Sequence, residues 1–122
     1  MYQRHETGRI GEDISVQYLQ QIGYKIVERN FECKQGEIDI IAIDKEEIVF
    51  VEVKTRNTDY FIQPFEAVDF KKQKAIIKVA NAYIRSRNID LEARFDVISI
   101  VQNEQGSQTI EHIIGAFEPC LF

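Results

Sequence analysis

The chain has 122 residues, 44% of them hydrophobic and 29% charged. That is enough for one domain, spanning 1–122, with a real core. The net charge of −5 argues against a general nucleic-acid binder, which usually carries a basic footprint, although a local distribution can override the total. No apolar run approaches the length of a membrane span, and the polar start Met1-Tyr2-Gln3-Arg4-His5-Glu6 has no signal-peptide core. Cys33 and Cys120 form no metal-ligand cluster. Read as reduced thiols, they predict a cytoplasmic location.

In chain order, Glu6 to Ile22 reads as a helix. Ile10, Ile14, Tyr18 and Ile22 recur every four residues, and Leu19 widens the stripe. Gly23 follows as a C-cap. Gly8 and Gly11 would let this helix approach a sheet closely, or are only local breaks. Tyr24 to Phe31 reads as a strand, Glu32 to Gly36 as a connection, and two strands follow at about Glu37 to Ile43 and Ile48 to Thr55. Arg56 to Gln63 is a polar loop closed by Pro64. A second helix spans about Asp69 to Arg87. Its apolar face is Ile76, Val79, Ala80, Tyr83 and Ile84, with Lys71, Lys74, Lys78 and Arg85 opposite. Arg94 to Val101 is a strand, Gln102 to Gln108 a turn containing Gly106, and Thr109 to Gly115 a last strand at an edge. Phe117 to Phe122 is an apolar tail that packs on the domain or forms a partner surface.

This order, αβββαβ with a trailing strand, predicts an α/β fold with a mixed sheet flanked by helices. The three consecutive strands form an antiparallel meander. The second helix is then a crossover that returns the chain parallel to an earlier strand.

Two segments place charges inside strand-like runs. They are Gly36-Glu37-Ile38-Asp39-Ile40-Ile41-Ala42 and Val51-Glu52-Val53-Lys54-Thr55-Arg56. Charge is costly there unless something compensates it. Alternation puts Glu37, Asp39 and Ile41 on one face of the first strand, and Phe50, Glu52 and Lys54 on one face of the second. A hairpin turning at Lys45-Glu46 pairs residues whose numbers sum to 91, so Asp39 lies opposite Glu52 and Glu37 opposite Lys54. Opposed Cβ atoms are about 4.5–5.5 Å apart. Two carboxylates that close require a proton or a cation between them. Solvated acids, with Lys54 paired to Glu37 across the strands, are the plain alternative.

With Glu12 on the first helix, Asp39 on a strand and Glu52-x-Lys54 on the next, the chain resembles the PD-(D/E)xK nuclease superfamily. The closer resemblance is to the YraN-like family of small bacterial proteins. It rests on Thr7-Gly8 with Glu12, Gly36-Glu37-Ile38-Asp39, Phe50-Val51-Glu52-Val53-Lys54 with Arg56, Lys72-Gln73, and Arg94-Phe95-Asp96-Val97. The arrangement is more distantly similar to archaeal Holliday-junction resolvases. Ile38 stands where the superfamily name has Pro. Ile77, four after Gln73, leaves incomplete a Gln-x-x-x-Tyr motif that some relatives carry.

The resemblance implies a restriction-endonuclease-like αβββαβ core and Mg²⁺- or Mn²⁺-dependent cleavage of nucleic acid, in particular branched or damaged DNA. It implies metal ligation by Asp39, Glu52 and the Val53 backbone carbonyl, with Glu12 acting directly or through water. Lys54 would orient or help deprotonate the attacking water and stabilise developing charge. Zn²⁺ would instead favour His and Cys. Arg56, Lys72 and Gln73 are secondary candidates for contact with nucleic acid, as are Lys71, Lys74 and Lys78 on the basic stripe, although a charged helix face is commonly just solvated. A homodimer would match relatives that cut two strands. The other function class is a non-catalytic module of the same fold that binds nucleic acid or a repair or recombination partner. A third is a structural protein whose acids only solubilise it. Asp96 is assigned to structure, paired with Arg94 or a neighbour. His5 and His112 receive no role.

Overall fold

The computed structural model describes residues 2–57 and 68–118, with side chains from residue 9 onward and up to Arg56 in the first stretch. The polar loop through Gln63 and Pro64, the landmarks Thr7 and Gly8, and Cys120 with the end of the apolar tail lie outside the described residues or side chains. The elements run α1 (Tyr2–Gln21), β1 (Lys25–Cys33), β2 (Gly36–Asp44), β3 (Glu47–Asn57), α2 (Phe70–Arg87), β4 (Glu92–Gln102) and β5 (Gln108–Phe117). The predicted connection from Glu32 to Gly36 shrinks to a turn at Lys34-Gln35, because β1 continues through Cys33. Among the described residues no helix is long and apolar enough to cross a membrane.

The five strands form one sheet in sequential order, with β5 at an edge as expected. β1–β2, β2–β3 and β4–β5 are antiparallel. β3 and β4, joined through α2, are parallel. The meander and crossover are therefore as predicted, and the whole matches an αβββαβ restriction-endonuclease-like core.

Each face of the sheet has its own core. Phe50, Phe95, Val97 and Ile41 pack with Ile76, Val79, Ala80 and Tyr83 of α2. Ile40, Val49, Val51, Ile98 and Ile100 pack with Leu19 of α1. α2 begins at Asp69, whose Oδ1 accepts the Lys72 N–H at 2.8 Å. It ends at Asn88, in the left-handed conformation at φ 51°, with its N–H directed to the carbonyls of Arg85 and Ile84.

α1 keeps its predicted stripe only in part, because Ile14, Tyr18 and Leu19 pack on the α1-side core and the two ends do not. Ile10 and Ile22 are 54% and 47% exposed, and the buried line is Gly11, Ser15 and Leu19. Small residues face the sheet because the helix lies very close to it. A Cβ on Gly11 would sit 2.6 Å from Thr55 Oγ1. Ser15 Oγ satisfies itself by donating to the Gly11 carbonyl at 2.8 Å.

The β2–β3 hairpin has the predicted register, from Asp44 opposite Glu47 to Ile40 opposite Val51, and Lys45 takes φ 58° in its turn. The regular rungs stop at Ile40, one residue short of the expected Asp39–Glu52 pair.

The predicted face-sharing of Glu37, Asp39 and Ile41 is not observed. Asn30 in β1 adopts φ 53°, and the β1–β2 ribbon turns over there. Arg29 reaches Glu12 and Asp13 of α1, whereas Phe31, two residues on, meets Tyr83 of α2 with ring centroids 4.9 Å apart. On β2, Ile40 belongs to the α1-side core and Ile38 to the α2-side core. Asp39 lies at the crossing point, and Glu37 falls on the α1 side.

Candidate metal site at a strand fork

Where β2 and β3 part, Asp39 replaces the next rung with its own side chain. Its Oδ2 accepts the Val53 N–H at 2.8 Å. In a strand the N–H and C=O of one residue point the same way, so the Val53 carbonyl also faces the fork. Glu52 lies within hydrogen-bonding reach of Asp39. Its carboxylate is almost fully buried, and Lys54 Nζ and Lys72 Nζ lie 3.3 and 3.5 Å from its Oε2. Burial, then the charge of Glu52, pushes the Asp39 carboxyl up to about 8, against the pull of the Val53 N–H. Glu37 is also pushed up, by partial burial first and then by Glu32, with smaller contributions from Glu12 and Glu52.

The structure thus brings together Asp39, Glu52, Lys54 and the Val53 main chain, and adds Lys72 from α2. Lys54 pairs with Glu52 on its own strand rather than with Glu37 opposite. Glu12 is close enough to raise Asp39, but its Oε1 lies 3.7 Å from Arg29. Among the described residues, no group of three or more His, Cys, Asp or Glu is placed to hold a metal ion. Two facing carboxyls and a main-chain carbonyl form an all-oxygen donor set, which suits a hard cation that keeps several of its waters.

Of the secondary candidates, Gln73 Nε2 donates to the Val68 carbonyl at 3.1 Å and so fastens the start of α2. Lys74 Nζ lies 5.8 Å over the Phe70 ring. Lys71 and Lys78 are exposed on α2, and Arg56 is half-buried near the end of β3.

A second buried polar cluster lies on the α1 side and was only partly read from the sequence. Asp96 accepts from Arg94 Nε at 2.9 Å, from the Gly115 N–H at 3.1 Å and from Tyr24 at 3.3 Å. His112 Nε2 lies 2.7 Å from Asp96 Oδ2. Because an ionised carboxylate only accepts, that nitrogen carries hydrogen, and Nδ1 of a neutral ring accepts from Tyr18 at 3.0 Å. Arg94 also binds Tyr24, Asp44 and Glu47. Arg94 pairing was anticipated for Asp96. The role of His112 was not, since a lone histidine in an edge strand carries no spacing signal.

Residues 11–100 match the family described as "Uncharacterised protein family UPF0102". A UPF0102 protein of Caldanaerobacter subterraneus subsp. tengcongensis is 50% identical over 114 residues, covering 91% of this chain and 93% of its own length. One of Bacteroides thetaiotaomicron is 43% identical over the full length of both chains. One of Geobacter metallireducens is 51% identical over 112 residues and 91% of each. The chain that presents Asp39 and Glu52 across this fork therefore belongs to the UPF0102 family, the YraN-like proteins its motifs resemble.

Proposed function

We propose that the fork is a divalent-cation site for hydrolysing nucleic-acid phosphodiester bonds, and that the chain is an endonuclease-fold protein of the PD-(D/E)xK type acting on DNA. The observation that carries this reading is the approach of the Asp39 and Glu52 carboxyls where two strands separate, with Lys54 Nζ 3.3 Å from Glu52. Lys54 and Lys72 offset the charge of Glu52, whereas Asp39 has no ion pair among the described residues; ionising it beside Glu52 is costly, and a cation between the two carboxyls lowers that cost. Bound Mg²⁺ or Mn²⁺ would supply Lewis-acid polarisation of the phosphoryl oxygen and a more acidic water.

The chain's own residues do the rest. Asp39, fixed by the Val53 N–H, and Glu52 would hold the cation together with the Val53 carbonyl, and Glu12 would act on it through water. Lys54 orients the attacking water and stabilises charge developing on the phosphate oxygens. Lys72 and Arg56 meet flanking phosphates. Recognition on this reading is of DNA structure, such as a branch or lesion. Cutting two strands asks for two forks, which a homodimer supplies.

The test is cleavage of branched, single-stranded and duplex DNA with added Mg²⁺ or Mn²⁺. The expected result is metal-dependent cutting that falls by about 10²–10⁴ in Asp39→Ala and in Lys54→Ala. Cutting that survives both changes rejects the fork as the active site.

A non-catalytic nucleic-acid-binding module with the same fold is the second reading. It is favoured by the absence, among the described residues, of a third converging acid. Divalent binding that is lost in Glu52→Ala, with no substrate cut, selects it.

A further inference from the structure

Helix α2 is charged against the rest of the molecule. Between Phe70 and Arg87 it carries Lys71, Lys72, Lys74, Lys78, Arg85 and Arg87 and no acid, in a chain of net charge −5. Part of that charge is used locally. Lys72 meets Glu52, and Arg87 lies 3.6 Å from Glu28 and stacks on Tyr83. Lys71, Lys78 and Arg85 are exposed and form no ion pair among the described residues.

Two features separate this face from ordinary solvated charge. Lys71 and Lys72 occupy the first turn, which holds no acid, and cations there oppose the helix dipole. They are therefore misplaced for helix stability. The three exposed cations also fall at seven-residue intervals. That is about two turns, or about 10 Å apart, in one line opposite buried Ile76, Ala80 and Tyr83. Lys78 and Arg85, with Asn81 and Ala82, line a groove of about 220 Å³ against Gln35 of the β1–β2 turn. This line starts beside the fork, because Lys72 at the same end of α2 touches Glu52.

We infer that the outer face of α2 is the track for the nucleic-acid backbone leaving the fork. Lys71, Lys78 and Arg85 each neutralise a phosphate, and Gln35 and Asn81 supply neutral hydrogen bonds between them. The 10 Å spacing corresponds to about three steps of B-form rise at 3.4 Å per step. The charge pattern stands by itself. The choice of nucleic acid over another polyanion rests on the function proposed above.

The experiment is a salt titration of binding to a labelled duplex and a labelled single strand, with and without Ca²⁺. It compares the wild-type chain with Lys71→Gln/Lys78→Gln/Arg85→Gln. Three lost contacts should lower the slope of log K against log salt by about 2–3 and weaken binding at low salt more than tenfold. Thermal stability should change little, because the loss of Lys71 from the helix N-terminus and of Arg85 from its last turn have opposite effects on the dipole, and this separates lost contacts from lost folding. An unchanged slope beside intact, Asp39-dependent cleavage overturns the track and leaves the fork standing. A lowered slope in a protein that cuts nothing supports the track and removes the catalytic reading. A triple variant that loses only binding to phosphatidylserine vesicles overturns the inference in favour of a membrane surface. No binding of either probe by the wild-type chain overturns the track and the nucleic-acid reading together.

Discussion

Asp39 takes the main-chain N–H of Val53 at 2.8 Å, so a carboxylate stands in for a rung where the β2–β3 ladder ends. Asp96 does the same at the β4–β5 bulge, where it takes the Gly115 N–H at 3.1 Å. The two acids differ in what else surrounds them. Burial alone would raise Asp96, but hydrogen bonds from His112, Arg94 and Gly115 outweigh it and hold the group below the usual carboxylate range. Asp39 faces Glu52 and is pushed up to about 8. One acid is saturated by its own protein. The other leaves a demand for positive charge, and that contrast marks the fork, rather than the second cluster, as the candidate site.

Without metal, the chain should lose stability as pH rises. The folded Asp39 carboxyl is raised from 3.8 to about 8, so the folded state binds this proton more tightly than the unfolded state does. Its contribution is fully present below the unfolded value and is lost as pH climbs through the folded one. Asp39→Asn should flatten the decline between about pH 4 and pH 8 and stabilise the metal-free protein at the upper end by roughly a few kcal/mol. Urea midpoints in EDTA across that range are the check, and parallel curves for the two proteins would contradict it. Added Mn²⁺ should restore the wild-type chain at high pH and leave Asp39→Asn nearly unchanged.

Gly11→Ala should destabilise the chain despite the better helix propensity of alanine. The new Cβ would lie 2.6 Å from Thr55 Oγ1, and overpacking of this kind costs about 1–3 kcal/mol, against a helix gain of about 1 kcal/mol. Thr55→Ala should rescue part of the loss by removing the opposing oxygen. Chemical denaturation of the two single variants and the double gives the coupling directly. A double variant no better than Gly11→Ala would mean that α1 does not rest where the structure places it.

Asn30 is in the left-handed region at φ 53°, where glycine is at ease and a β-branched residue is strained. Asn30→Gly should change stability by less than about 1 kcal/mol, whereas Asn30→Val should cost about 1–3 kcal/mol. Because the ribbon turns over at this residue, Asn30→Val should also weaken divalent-cation binding at Asp39. Titration calorimetry with Mn²⁺ tests the link: equal affinities in the wild-type and valine proteins would break it.

Asp96→Ala should be the most destabilising of these changes. It leaves Arg94 and His112 without their buried partner, and breaking a buried pair from one side costs about 3–5 kcal/mol. The depressed carboxyl gives the wild-type chain stability that is present above pH 3.8 and lost as acid takes pH through the folded value below it. Acid unfolding of the wild-type chain, followed by circular dichroism, should therefore be steepest below pH 3.8. A full-strength fold in Asp96→Ala would show that the cluster is dispensable.

Much of the architecture was legible before any coordinate. Runs of apolar residues placed β2, β3 and β4, and the 3.6-residue period placed α2. The turn at Lys45-Glu46 fixed a register that the structure keeps from Asp44 to Ile40. At α1 the pattern held only in part: Ile14, Tyr18 and Leu19 pack on the sheet, but Gly11 and Ser15 share the buried face while Ile10 and Ile22 are exposed. Close approach there is set by the absence of side chains, which a hydrophobic stripe does not register. The pattern failed at Asp39, where strict alternation assumes a continuous strand and the turn-over at Asn30 breaks it.

The sequence by itself determined the order of elements, the pairing of the hairpin, and the acids and lysine at its open end, because these follow from local periodicity and from charges that a strand interior cannot hide. Tertiary structure alone decided which of those charges meet. The ribbon reversal turns Glu37 toward the α1 side, Arg29 lies beside Glu12, and α2 carries Lys72 onto Glu52. Those outcomes depend on packing between elements distant in the chain, which no local pattern encodes.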